Sequence, residues 1–151
     1  MSKSIKQPIY NVDKTECLEI GYFKNWNGVI QIEQFPETIK KVPSVLPKEI
    51  TSLKFAFYEN TSSEIDGIQH WNTSNVRNMR GMFCFAKSFN QNISSWNTSN
   101  VTDMHYMFFG AINLNQDISM WNTSKVANKY NQDIGYVNPN WKPEHRPKFN
   151  K

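Results

Sequence analysis

The chain is poor in the residues that usually announce chemistry. It has two cysteines, Cys17 and Cys84, far apart and without metal-type spacing. One disulfide is possible, but two unpaired thiols are the simpler reading. The three histidines, His70, His105 and His145, stand apart, with no carboxylate or cysteine at ligand spacing, and are expected to be exposed and solvated. There is no glycine-rich phosphate loop and no nucleophile motif, so no metal or cofactor is expected and an enzyme is the least favoured class. No run of about 18 apolar residues exists, which excludes a spanning helix. The first eight residues have no apolar core and do not read as a signal peptide. On that ground the chain is expected in the cytoplasm unless a leader precedes it. Charge is sparse: 20% of residues, with a formal net +4. The excess sits in 138–151, where Lys142, Arg146, Lys148 and Lys151 face only Glu144. A short basic tail is usually a solubilising end, and nucleic acid is not expected as a partner.

What the sequence does contain is repetition. Trp71-Asn72-Thr73-Ser74 returns at Trp96-Asn97-Thr98-Ser99 and at Trp121-Asn122-Thr123-Ser124, 25 residues apart each time. A fixed period of this length predicts supersecondary units stacked in a solenoid. Within 96–120, Val101, Met104, Phe108 and Ala111 lie on one stripe at helical spacing, with Met107 beside it. Thr98, Ser99 or Asn100 can cap such a helix. Residues 114–119 are short and polar around Ile118 and suit a short parallel strand. The same apolar pattern in 71–95 is Val76, Met79, Met82, Phe83, Ala86, Phe89 and Ile93. The expected fold is therefore an α/β repeat solenoid whose coils each hold one short helix and one short parallel strand.

The ends differ. Residues 17–35 read as a β-hairpin, with alternating Leu18, Ile20, Tyr22 and Ile30, Ile32 around Asn27-Gly28. It is assigned the role of a cap over the first coil. The expected division is an arm at 1–16, the hairpin cap and a proline-punctuated connector at 17–49, the repeats at 50–137 and a basic tail at 138–151. The repeats divide into a degenerate copy at 50–70, full copies at 71–95 and 96–120, and a shortened one at 121–137. The last copy passes from Lys129 to Tyr130-Asn131-Gln132-Asp133-Ile134 and lacks the Met-Phe-Ala middle.

The string Trp-Asn-Thr-Ser-Asn-Val-x-x-Met-x-x-Met-Phe-x-x-Ala-x-x-Phe-Asn-Gln-Asn/Asp-Ile-Ser resembles the short repeat of mycoplasma surface proteins, BspA-like relatives of the leucine-rich repeats. Leu46-Pro47-Lys48-Glu49-Ile50-Thr51-Ser52-Leu53 and Glu19-Ile20-Gly21-Tyr22 resemble that family's N-terminal portion. The likeness covers roughly residues 9–137. It implies a leucine-rich-repeat-like fold, carried on lipoproteins or secreted proteins at the cell surface, with roles in adhesion, host contact or antigenic variation. It implies no catalytic residue.

Comparison of the copies separates constant from changing positions. Trp, Val, both Met, Phe, Ala and Ile recur and should be core. The changing pairs are Arg77/Thr102, Arg80/His105, Gly81/Tyr106, Cys84/Phe109, Phe85/Gly110 and Lys87/Ile112, which should point outward. Recurring asparagines read as ladder rungs bonding exposed backbone. Asn60, Asn72, Asn92, Asn97, Asn100 and Asn122 lie in Asn-x-Ser/Thr, which turn and cap chemistry explains better than glycosylation. Asp117, Asp133 and Asn92 share a phase that suits turn capping better than calcium. Phe85, Tyr106 and Phe109, with Arg77, Arg80 and His105, form the candidate protein-binding surface, because clustered exposed aromatics mark contact sites. The functional expectation is a non-enzymatic protein-interaction module. Carbohydrate recognition and a structural remnant of a longer adhesin stand as alternatives.

Overall fold

The computed structural model describes residues 2–127, 129 and 133–149. Regular secondary structure is confined to small pieces. Five short strands lie in the first third: β1 (Lys3–Lys6), β2 (Ile9–Tyr10), β3 (Cys17–Glu19), β4 (Tyr22–Lys24) and β5 (Ile30–Ile32). They form two antiparallel sheets, β1-β4-β5 and β2-β3. Two 3-10 turns, Ile68–His70 and Pro143–His145, lie further along the chain, and there is no α-helix among the described residues.

This overturns the expected α/β solenoid of leucine-rich-repeat-like coils. No helix occupies 101–111, and no strand occupies 114–119. The expected hairpin also shrinks. Only β4 and β5 pair around Asn25–Val29, while β3 turns away to pair with β2. The Asn25 side chain holds that turn by accepting the Asn27 and Val29 N–H groups, and Gly28 supplies φ 79°.

The physical reason for the missing helix is visible in residues 79–86. Three overlapping four-residue turns run through them: the N–H groups of Met82, Cys84 and Ala86 donate to the carbonyls of Met79, Gly81 and Phe83. The intervening N–H groups of Met79, Gly81, Phe83 and Phe85 donate instead to Asp103, His105, Met107 and Phe109 of the next copy, at 2.7–2.9 Å. The eighth, the Arg80 N–H, donates to the Asn78 side chain, so half of the backbone donors are local and half intercopy. The same turns recur at 53–60 and 104–111. The third residue of the first and last turn in each set has positive φ: Phe55 and Glu59, Gly81 and Phe85, Tyr106 and Gly110, between 58° and 70°. A right-handed helix needs negative φ throughout, whereas a type II turn requires positive φ at this position. Overlapping turns bury residues at steps of three and four, as a helix does. The apolar stripe was therefore real, and its helical interpretation was not.

Successive copies lie residue on residue. Single parallel bridges join Gln31 to Ser52, Ser52 to Asn78, and Asn78 to Asp103, so β5 pairs directly with the first copy. The core runs along the inner side. Val76, Met79, Met82, Phe83, Ala86, Phe89 and Ile93 are fully buried, as are Val101, Met104, Met107, Phe108 and Ala111. Trp71, Trp96 and Trp121 stack at 6.4 Å with planes within 11°. Phe35, Phe57, Phe83 and Phe108 form a second column at 4.7–5.5 Å. Each indole N–H donates to the preceding copy: Trp71 to Pro43, Trp96 to Ile68, and Trp121 to Ile93. Trp141 does likewise to Gln116 and is 1% exposed, so the chain after residue 138 packs on the core.

The rungs between copies come from asparagines and threonines alike: Asn90 accepts the Asn115 N–H and Asn115 the Lys142 N–H, as expected of that recurring pair, and Asn100 donates to the Ser74 carbonyl. Thr73 and Thr98 hydroxyls donate to the carbonyls of Asn97 and Asn122, and Thr123 to Lys148. Asn72, Asn97 and Asn122 instead accept the N–H two residues on, in their own turns. Asn92 and Asp117 do the same, which fits their reading as turn caps. Ser119 holds the Asp117 carboxyl below its usual range.

Candidate binding surface

The outer side of the same turns carries the candidate site. The left-handed conformation at Phe85 and Tyr106 turns both side chains away from the core, and Phe85 is 38% exposed. Their neighbours follow suit and the rings meet in a continuous band. Phe55 touches Tyr58 at 5.9 Å, Tyr58 touches Phe85 at 6.1 Å, and Phe85 touches Phe109 at 5.4 Å. Phe109 then meets Tyr106 and Tyr136, both at 5.5 Å. Most of these contacts are edge-on, the arrangement favoured by the ring quadrupole.

Of the residues expected at the site, Phe85, Tyr106 and Phe109 are joined in this band. Arg80 lies over the Tyr106 ring at 5.8 Å and reaches Asp103 at 3.8 Å. His105 abuts Tyr106 with ring centroids 3.8 Å apart. It is half-buried rather than solvated, and its Nδ1 has no hydrogen-bond partner among the described residues. Arg77 is exposed, and its backbone carbonyl, not its side chain, links to Thr102. It is not brought into the band. Three changing positions expected outside, Gly81, Cys84 and Gly110, are buried. The glycines are buried because rings cover them. A Cβ on Gly81 would sit 2.2 Å from the Phe55 ring, and one on Gly110 would sit 2.5 Å from the Phe85 ring.

Phe55, Tyr58 and Tyr136 escaped the sequence reading. Phe55 occupies the place of Gly81 at an offset of 26 residues, and Tyr136 takes the place of Phe109, since Gly110 donates to Tyr136 as Phe85 donates to Phe109; neither offset is 25, so the 25-residue alignment hides both. The junction Tyr130-Asn131-Gln132 in that copy lies outside the described residues.

Beside the band, Phe85 forms part of the wall of an open groove of about 620 Å³, with Glu37, Glu59, Asn60, Thr61, Lys87 and Ser88. Burial pushes the Cys84 thiol up to about 11, helped by the Glu59 charge, and burial pushes Cys17 up to about 12. Both thiols are free and stay protonated near neutral pH, which leaves them weak nucleophiles. No group of three or more potential metal ligands occurs among the described residues.

A family model described as "Mycoplasma protein of unknown function, DUF285" matches residues 51–139. The chain belongs to that family. The matched segment begins at the first set of overlapping turns and ends just before Trp141, so it contains every ring of the outer band. The family assignment upholds the mycoplasma part of the sequence resemblance. The leucine-rich-repeat part is set aside by the absence of helix–strand coils. No curated protein matches, and no solved structure matches. No helix among the described residues is long and apolar enough to cross a membrane.

Proposed function

We propose that this DUF285 chain is a non-enzymatic binding module of a mycoplasma surface protein, and that the outer aromatic band docks a partner protein. One observation carries the reading: the band is continuous across four successive copies, from Phe55 to Tyr136. Isolated exposed aromatics are ordinary, but a contiguous set flanked by cations has the composition of an interface centre. Lys54 over Phe55 and Arg80 over Tyr106 supply those cations. The constant inner columns let the outer side vary without loss of the core. The likeness of the repeat string to BspA-like surface proteins supports a role in adhesion or host contact and a location at the cell surface or in secreted form.

Two measurements test it. Protease shaving of intact mycoplasma cells should remove the chain, and protection would place it inside. Fluorescently labelled protein should bind cultured epithelial cells, and the double variant Phe109→Ser, Tyr136→Ser should lose most of that binding while keeping its cooperative unfolding. Equal binding by the variant would remove the band from the interface.

A further inference from the structure

The groove next to the band differs from it in chemistry. Its apolar element is the partly open Phe85 ring, held from two sides by edge contacts to Tyr58 and Phe109. The rest of its lining is polar: Glu37, Glu59, Asn60, Thr61, Lys87 and Ser88. The groove is assembled from three separate stretches of chain: the connector, the first copy and the second copy. No ion pair within the protein joins Glu37, Glu59 or Lys87 among the described residues, although the Glu59 carboxylate accepts from the Tyr58 hydroxyl. Thr61, by contrast, is committed to the Glu37 carbonyl through both its N–H and its hydroxyl, and this ties the groove's two walls together.

We infer that this groove is a saccharide site that seats one pyranose ring of an uncharged glycan against Phe85. The volume falls within the roughly 300–1,000 Å³ of small-ligand clefts. A pyranose presents a C–H face that packs on an aromatic ring. It also carries a rim of hydroxyls that donate to carboxylates and accept from an ammonium. Two carboxylates against one lysine disfavour acidic sugars and phosphates by like-charge repulsion. A quaternary ammonium would call for a cage of several aromatic faces, and Phe85 is the single aromatic residue in this wall. The inference deepens the docking proposal and rests on it for the partner's class: a glycosylated protein, its polypeptide on the band and its sugar in the groove.

The test uses free sugars and needs no cells. Saturation-transfer NMR on the full chain, with methyl glycosides of glucose, galactose, mannose and N-acetylglucosamine at millimolar concentration, should show transfer to the ring C–H protons of at least one. Phe85→Ser and, separately, Glu37→Gln should each raise that glycoside's Kd about tenfold, equivalent to about 1.4 kcal/mol. Glu37→Gln is included because it removes a charge from the groove without touching the Phe85–Gly110 contact. No transfer from any glycoside to the folded wild type, unchanged affinity in both variants, or binding of tetramethylammonium alone would overturn the inference. Glycoside binding without cell binding would instead count against the docking proposal and leave the groove assignment intact.

Discussion

The protein lines both sides of its stacked turns with aromatic rings, and the two sides are built by opposite rules. Inside, indoles and phenyl rings lie nearly parallel, each copy on the next, and every inner Trp N–H finds a carbonyl of the preceding copy. Outside, most rings meet edge-on, several lie part in water, and Phe and Tyr alternate with glycine. Parallel stacking at a fixed step requires identical residues in every copy. Edge contacts over covered glycines require only that one copy's ring match its neighbour's gap. The inner side is thus bound to repetition, and the outer side is free to change. That freedom is what a recognition surface needs.

The sharpest way to break this contrast is to truncate inside. Trp96→Ala removes the stacking contacts to Trp71, Trp121 and Phe83 and the hydrogen bond to Ile68, and should cost about 3–5 kcal/mol, seen as a large fall in the urea midpoint. A loss below about 1 kcal/mol would mean that the columns carry little of the stability. Next comes the join between the two sides. Gly110→Ala forces a Cβ against the Phe85 ring at a φ of 70° and should cost roughly 1–3 kcal/mol. Adding Phe85→Ser should recover part of that loss, since only the φ term remains. A double variant no more stable than Gly110→Ala would show that the ring is not the obstacle.

A smaller effect is expected from Thr98→Val, which leaves the Asn122 carbonyl without its hydroxyl donor, for about 1 kcal/mol by thermal unfolding. Alkaline pH probes the buried thiols. Their folded values of about 12 for Cys17 and about 11 for Cys84 lie above the ordinary 9.0. The stabilisation from keeping them neutral is complete below about pH 9 and is lost as pH rises through the folded values. The melting temperature should fall between pH 9 and 12, and less steeply in Cys17→Ala. Smallest of all, Tyr136→Ser on the outer band should move stability by no more than about 0.5 kcal/mol, as expected for an exposed position. A large loss there would make the band structural.

Much of this was legible before any coordinates. The recurring Trp, Met, Phe and Ala named the buried set, because a side chain that returns at a fixed step in a stack meets the same environment each time. Phe85, Tyr106 and Phe109 stood out as a cluster off that set. The local backbone was not legible, because steps of three and four residues serve a helix and a run of overlapping turns equally well. A clue lay in the glycines. Gly81 and Gly110 sit in the middle of supposed helices, where glycine is unfavourable, and they trade places with aromatics between copies. Trp141 was missed because it follows Trp121 by 20 residues instead of 25. Glu37 was beyond reach, since it comes to the groove from a connector that shares no pattern with the copies.

The covering of Gly110 by Phe85 has a consequence for descent. It sets a rule of succession: a unit that projects a phenyl ring at this place must be followed by one that offers a bare backbone. A tandem duplication of residues 96–120 obeys the rule at this place, because glycine would then follow glycine, but it sets one Tyr106 behind another at the place where Gly81 lies under Phe55. Duplication of 71–95 does the reverse: it keeps glycine behind glycine at Gly81 and brings a Cβ against the Phe85 ring. The two duplications are therefore not equivalent, since each disturbs the outer side at a different place.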